Sequence, residues 1–262
     1  MKLTNNTILI TGGTSGIGLG LAQSLDQLGN QIIVLARNAD KMAAVKAVHP
    51  TFATFQADVN DVETLKGLPA WIQGHYPDLN MVINSAGVMR AHDLLDPNVT
   101  VEDLFADIDI NLKGTVAVDK LLLPQLIHQK ESLVVNVSSG LANLSSAAHP
   151  TYSASKAGVH MFTSALRDQL RFAQLDHVHV MELVPPLVSE TNLESGSHGG
   201  RGDMKLADLV QAALKGMAGD KGRVNAGAAK MLRKAGQLRP DQTEWQFAKT
   251  SLAQYFPAGL VK

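Results

Sequence analysis

The 262-residue chain predicts an α/β fold: a single domain built on one doubly wound parallel sheet of six or seven strands, with helices on both faces. Three observations predict it. Short β-branched runs alternate with longer amphipathic stretches, the order that produces parallel strands joined by crossover helices. The runs are mostly continuous in apolar residues, as in strands buried on both faces. A glycine-rich turn, TGGTSGIG at 11–18, joins the first run to the first amphipathic stretch.

The predicted strands are TILIT (7–11), QIIVLA (31–36), TFATFQA (51–57), NMVIN (80–84), SLVVNVS (132–138) and HVHVMELV (177–184). Helical patterns lie near 16–28, 39–47, 61–75, 101–129 and 153–174. SETNLESGSHGGRGD, at 189–203, is rich in Gly and Ser and predicts a mobile substrate loop over about 189–205. A helical pattern resumes near Lys205. Beyond Lys221 the pattern is hardest to read, and RVNAG (223–227) is a poor candidate for a seventh strand, which is expected to be short or absent. No repeat or linker divides residues 1–262.

Composition narrows the function. With 23 basic and 24 acidic residues and no basic stripe, the chain lacks the electrostatic footprint of a nucleic-acid binder. Without cysteine there are neither disulfides nor thiolate metal sites, which fits a cytoplasmic protein. No apolar run approaches the length of a membrane span, and the N-terminal residues lack a signal peptide's apolar core and cleavage site. His177 and His179 could share one strand face, but two ligands do not make a zinc site, so no metal is expected.

The glycine turn is the first functional signal. Gly12, Gly16 and Gly18 follow a strand and open a helix. Glycine allows a tight turn and close approach of backbone to a pyrophosphate. The helix N-terminus offers free N–H groups and a positive dipole end. That context makes the predicted fold Rossmann-like. The second strand ends at Ala36 with no carboxylate to hold ribose hydroxyls, and Arg37 follows, suited to a 2′-phosphate. NADP(H) is therefore favoured, while Asp40 keeps NAD(H) open.

Together these residues resemble the short-chain dehydrogenase/reductase family, in its short single-domain branch. TGGTSGIG matches the family's cofactor turn, NSAG (84–87) its NNAG, NVSS (136–139) its serine segment, and YSASK (152–156) its YxxxK. Ser139 precedes Tyr152 by 13 positions, about the family's interval, and Asn111 in DINLKG matches its helix asparagine. PPLVSET replaces the family's PGxVxT, with Pro186 at the glycine and Thr191 one place late, so Ser189 or Glu190 is an alternative contact. The double proline also resembles a bacterial subgroup found beside D-alanine transfer to teichoic acid. The resemblance implies a catalytic set of Asn111, Ser139, Tyr152 and Lys156. It also implies cofactor contacts from Gly12, Thr14, Ser15, Gly16, Ile17, Gly18, Arg37, Asp58, Val59, Asn84, Ala86, Gly87, Tyr152, Lys156, Pro185, Val188 and Thr191. It implies too a small carbonyl or alcohol substrate and a homodimer or homotetramer.

The residues themselves say why tyrosine and lysine belong together. Reduction of a ketone needs a proton at oxygen, and a phenol with a pKa near 10 is a poor donor at neutral pH. Lys156 lies at i+4 from Tyr152, where helical side chains meet, and its charge is expected to stabilise phenolate. Ser139 would hydrogen-bond the substrate oxygen. By resemblance, Asn111 would hold a water that relays the proton through Lys156. His149, Val159, Met161 and Phe162 carry weaker signals, of pocket lining or of subunit contact.

Overall fold

The structure is a computed structural model and describes residues 1–191, 193, 203–238 and 240–261. Seven strands form the sheet: β1 (Thr7–Thr11), β2 (Gln31–Ala36), β3 (Ala53–Gln56), β4 (Leu79–Asn84), β5 (Ser132–Val137), β6 (Val178–Val184) and β7 (Arg223–Asn225). Their order is β3-β2-β1-β4-β5-β6-β7, and every pair is parallel. The helices are α1 (Gly16–Asp26), α2 (Ala39–Val48), α3 (Val62–Leu65), α4 (Leu68–His75), α5 (Val101–Asp107), α6 (Gly114–Ile127), α7 (Pro150–Phe172), α8 (Leu206–Ala218), α9 (Ala229–Leu238) and α10 (Pro240–Tyr255).

Alternation along the strands divides the core into two layers. On one face Ile8, Ile10, Ile32 and Val34 meet Leu21 and Leu25 of α1, Met42 of α2 and Leu209 and Ala213 of α8. On the other, Leu9, Ile33, Leu35 and Val82 meet Ile72 of α4, Val118 and Leu122 of α6 and Leu166 and Leu170 of α7. Both faces of the strands are buried, which is why their sequences read as unbroken apolar runs.

Several elements differ from expectation in instructive ways. The third strand is shorter than 51–57. The 61–75 helix is two helices broken at Gly67, because Pro69 sits in the first turn of α4. The 101–129 helix contains a π-helical turn at Ile108–Lys113 between α5 and α6. The seventh strand is present, at three residues. Chain beyond it folds as α9 and α10. The expected mobile loop falls largely outside the described residues. Its base is described: Asp203 N donates to Leu187 O at 2.8 Å and Ser189 N to Met204 O at 3.0 Å.

From β1 the chain winds outward through β2 and β3, then returns to place β4 on the other side of β1. The connections leaving the carboxyl ends of β1 and β4 therefore diverge. In open α/β sheets the ligand crevice lies at such a reversal.

Candidate active site

The crevice opens over the carboxyl ends of β1, β4, β5 and β6 as a cavity of about 550 Å³. Its floor is backbone. Gly12 has φ +67°, and a Cβ there would stand 2.8 Å from Ala86 Cα. Only glycine combines that conformation with that approach. Gly18 packs α1 against the same turn, where a Cβ would overlap the Gly12 carbonyl. Thr11 Oγ1 accepts from both Ser85 N and Ala86 N at 3.1 Å, tying the glycine turn to the NSAG segment.

Asn111 fastens that segment to α7. Its Oδ1 accepts from Val88 N, and its Nδ2 donates to Val88 O and to Ser155 Oγ, each at 2.9 Å. The π-helical turn aims this side chain, and extra-residue turns of this kind recur at functional sites. Ser139 ends the loop after β5 and caps the short turn Gly140–Ala142, accepting from Leu141 N at 3.2 Å.

Pro150 at the start of α7 sets its entry angle, and Tyr152 and Lys156 follow one turn apart. Both are buried and line the cavity. Burial pushes the Tyr152 phenol up to about 12; a hydrogen bond with Ser139 pulls it down and the charge of Asp107 adds to the rise. Burial pulls the Lys156 ammonium down to about 8, against Asp107, which raises it. Lys156 Nζ donates to Val137 O at 2.9 Å and lies 5.8 Å from the Tyr152 ring centre. Here the expected stabilisation of phenolate by the ammonium does not outweigh burial. Burial leaves the Tyr152 phenol a weaker acid than in water.

The other expected residues divide into two sets. Ser15, Gly16, Ile17, Gly87, Pro185, Val188 and Thr191 line the cavity with Gly12 and Ala86. Thr191 packs its methyl over Gly16 and donates to Val188 O at 2.9 Å. Ser189 instead donates its hydroxyl to Met204 O, so Thr191 is the one that reaches the glycine turn despite its late position. Thr14, Gly18, Arg37, Asp58, Val59, Asn84 and Asn111 do not line this cavity among the described residues. Arg37 and Asp58 pair with each other at 3.4 Å, at the exposed tip of β2. Val59 packs on Gly114. Asn84 turns its side chain beneath the sheet, donating to Asp119 Oδ1 at 2.6 Å and to Asn136 Oδ1 at 2.9 Å. Burial pushes the Asp119 carboxyl up to about 7, against those amide hydrogen bonds from Asn136 and Asn84.

Two features had no assignment in the sequence. Asp107, fully buried one turn before Asn111, accepts from Thr151 Oγ1 at 2.9 Å, with His92 Nε2 at 4.0 Å. Its signal is an acidic residue at an inward helical position. Glu182 on β6 receives Ser138 Oγ and His160 Nδ1, and Arg223 of β7 lies 3.0 Å away. Burial would push Glu182 up, but those hydrogen bonds and charges hold it below the usual carboxylate range. Three-residue β7 thus anchors the strand ends beside Ser139. His149 is buried, lines the cavity and meets Tyr255 edge-on. Val159 belongs to the core, Phe162 is partly buried against it and Met161 is exposed. His179 contacts Asp220 and Glu131, and His177 contacts Ile127 O. Among the described residues no group of three or more His, Cys, Asp or Glu is placed to hold a metal, and no helix is long and apolar enough to cross a membrane.

A parallel sheet reversing at a glycine-lined crevice, with Tyr and Lys on the helix beside it, defines a Rossmann-like α/β protein. Residues 6–199 match the family described as short chain dehydrogenase, and the chain belongs to that family of oxidoreductases. It is 38% identical over 224 residues to the uncharacterized oxidoreductase DltE of Bacillus subtilis strain 168, covering 83% of this chain and 86% of that protein. An uncharacterized oxidoreductase of Staphylococcus epidermidis is 26% identical over 214 residues, covering 81% and 91%. The fold is shared with a Burkholderia cenocepacia short chain dehydrogenase solved with NADP (TM-score 0.77, 21% identity, 94% of this chain and 99% of that one). It is shared equally with a Burkholderia phymatum short chain dehydrogenase/reductase solved with NAD (TM-score 0.79, 19% identity, 94% and 96%).

Proposed function

We propose that this chain is an NADP(H)-preferring oxidoreductase that interconverts a carbonyl and a secondary alcohol, with Tyr152 as proton donor and acceptor. One observation carries the reading. Tyr152, Ser139 and Lys156 line the same cavity as the backbone cradle of Gly12, Gly16 and Ala86. That cradle fits a dinucleotide, since at Gly12 a side chain would meet the Ala86 backbone that faces it. Gly12, Ser15, Gly16, Ile17, Ala86, Gly87, Pro185, Val188 and Thr191 would hold the cofactor. Bound there, the cofactor supplies hydride in its reduced form and positive charge in its oxidised form.

The protein's own groups handle the proton. Ser139 orients the substrate oxygen toward Tyr152. The phenol gives its proton to that oxygen during reduction and takes it back during oxidation. Lys156 restores the proton. Asn111 has its amide committed to Val88 and Ser155. A relay water would therefore use its backbone carbonyl or the remaining lone pair of Oδ1.

Arg37 supports NADP(H): it is exposed at the tip of β2, and its partner Asp58 sits at 3.4 Å, a weak contact that a phosphate can displace. The same pairing, with Asp40 in the first turn of α2, is what favours NAD(H) as the second reading. A cytoplasmic homodimer or homotetramer completes the proposal. Exposed Met161 on α7 and Phe105 on α5 support the assembly, and a cysteine-free chain suits that compartment.

Tyr152→Phe tests the reading. Turnover, followed by nicotinamide absorbance across a panel of carbonyls and alcohols, should fall about a hundred- to ten-thousand-fold while cofactor affinity is kept. Near-native turnover in the variant removes Tyr152 from the reaction.

A further inference from the structure

The side of the cavity away from the glycine turn belongs to α9 and α10. Leu232 of α9 fills the space that Gly140 leaves, where a Cβ would come within 2.8 Å of Leu232 Cδ1. Glu244 of α10 accepts from Ser145 Oγ at 3.3 Å. Tyr255, at the end of α10, meets His149 edge-on with ring centres 4.5 Å apart. These helices therefore bear on the turn that carries Ser139 and on the start of the helix that carries Tyr152. They form a wall for whatever meets those two hydroxyls.

The chemistry of that wall is one-sided. Met231, Leu232, Phe247 and Tyr255 line the chamber together with Leu141 and Leu187. The polar positions contributed by α10 are neutral: Thr250, Ser251 and Gln254. Ser251 already donates its hydroxyl to Ala248 O at 3.2 Å. Among the described lining residues the formal charges are Lys156, at the floor against Val137 O, and Asp203, at the exposed rim. Apart from Lys156, no described lining residue would offer a cation to an anionic group entering this chamber, and an uncompensated buried charge is strongly disfavoured. An alkyl or aryl group would instead exchange water for apolar contact.

We propose that the chamber between Ser139, Tyr152 and the α9–α10 wall takes an uncharged, mainly apolar carbonyl compound or the matching secondary alcohol, and rejects ligands carrying carboxylate or phosphate. This rests on the oxidoreductase reading above and deepens it by naming the substrate class. Its test uses a matched pair, 2-octanone and 7-oxooctanoate, which differ by a terminal carboxylate. Calorimetric titration into cofactor-loaded protein should show the ketone binding at least about tenfold more tightly, with kcat/KM in the same order. Met231 is 73% exposed and tolerates replacement, so Met231→Arg should keep its melting temperature and move the ratio several-fold toward the keto acid. Equal or tighter binding of 7-oxooctanoate by the unaltered protein overturns the substrate class, as does failure of both ligands to bind. An unmoved ratio in Met231→Arg removes the α9 wall from the chamber. The calorimetric outcomes are read without turnover, so they separate this inference from the catalytic reading, which Tyr152→Phe tests by turnover.

Discussion

The two walls of the cleft are made of different material. The wall formed by the ends of β1 and β4 is backbone: Gly12, Gly16, Ala86 and Gly87, held by Thr11 and Asn111. The wall formed by α9 and α10 is side chain: Leu232, Phe247 and Tyr255. At Gly12 the backbone wall admits no side chain without moving the chain. A side-chain wall can be respecified one residue at a time without disturbing the sheet.

The comparison can be broken at a residue of α7 that lines the cleft between the walls. Lys156 is buried, and its pKa is lowered from an ordinary 10.5 to about 8. A lowered lysine costs stability wherever both folded and unfolded chains carry the proton, below about pH 8, and that cost is relieved as pH rises toward 10.5. Lys156→Met should therefore be more stable than the unaltered chain at pH 7 by on the order of 3 kcal/mol, while losing turnover. The gain should shrink between pH 8 and 10.5 in denaturant titrations. A variant less stable at every pH would mean that the hydrogen bond to Val137 O outweighs burial.

Gly12→Ala sharpens the contrast from the backbone side. A methyl group at φ +67° and 2.8 Å from Ala86 Cα forces the turn to shift. NADPH affinity should fall about a hundredfold, while binding of an apolar ligand by the α9–α10 wall changes little. Fluorescence titration of both ligands checks the separation. Arg37→Ala reaches the outer end of the same wall. It should erase most of a ten- to hundredfold preference for NADPH over NADH, from a charge-assisted contact of about 1.5–3 kcal/mol. Equal affinities in the unaltered protein would favour the NAD(H) reading and leave the family assignment intact.

The smallest effect is expected where the α9 wall meets the turn after β5. Gly140→Ala sets a methyl against Leu232 Cδ1 at 2.8 Å, the tip of a side chain that can turn aside. A loss of about 1 kcal/mol in stability is expected, with a severalfold rise in KM and little change in cofactor affinity. A change in cofactor affinity instead would show that the walls are not independent.

The same division explains what could be read from sequence. The strands and the glycine turn obey strong local rules: β-branched runs for a sheet buried on both faces, and glycine where the chain turns at positive φ. The spacing of Ser139, Tyr152 and Lys156 was legible through the family resemblance instead, and the strand order was not legible at all. α10 was illegible because its apolar residues, such as Phe247, face a cavity instead of a packed layer. They therefore lack the helical period that marks a core face. β7 was a poor candidate in RVNAG because three residues cannot display a period, and it is present and short. The break at Gly67 was present in the sequence as GLP, overlooked inside a longer amphipathic pattern. Lys156 shows a different limit: i+4 spacing predicts that its ammonium meets the phenol, but the carbonyl of Val137, remote in sequence, claims it.

The π-helical turn at Ile108–Lys113 also acts as a phase adjuster. Each residue of an α-helix advances the chain by about 100° around the axis, and a π turn absorbs one residue more than an α turn. Upstream, the phase is set by Asp107, which meets Thr151; downstream, it is set by Val118, Leu122 and Leu126, which pack beneath the sheet. Deleting one residue between 108 and 113 would restore a regular helix and swing one of these faces through roughly a quarter turn relative to the other. Either the Asn111 clamp would leave Val88 and Ser155, or α6 would point its apolar edge at solvent. A single surplus residue lets one continuous rod satisfy the cleft at one end and the core at the other.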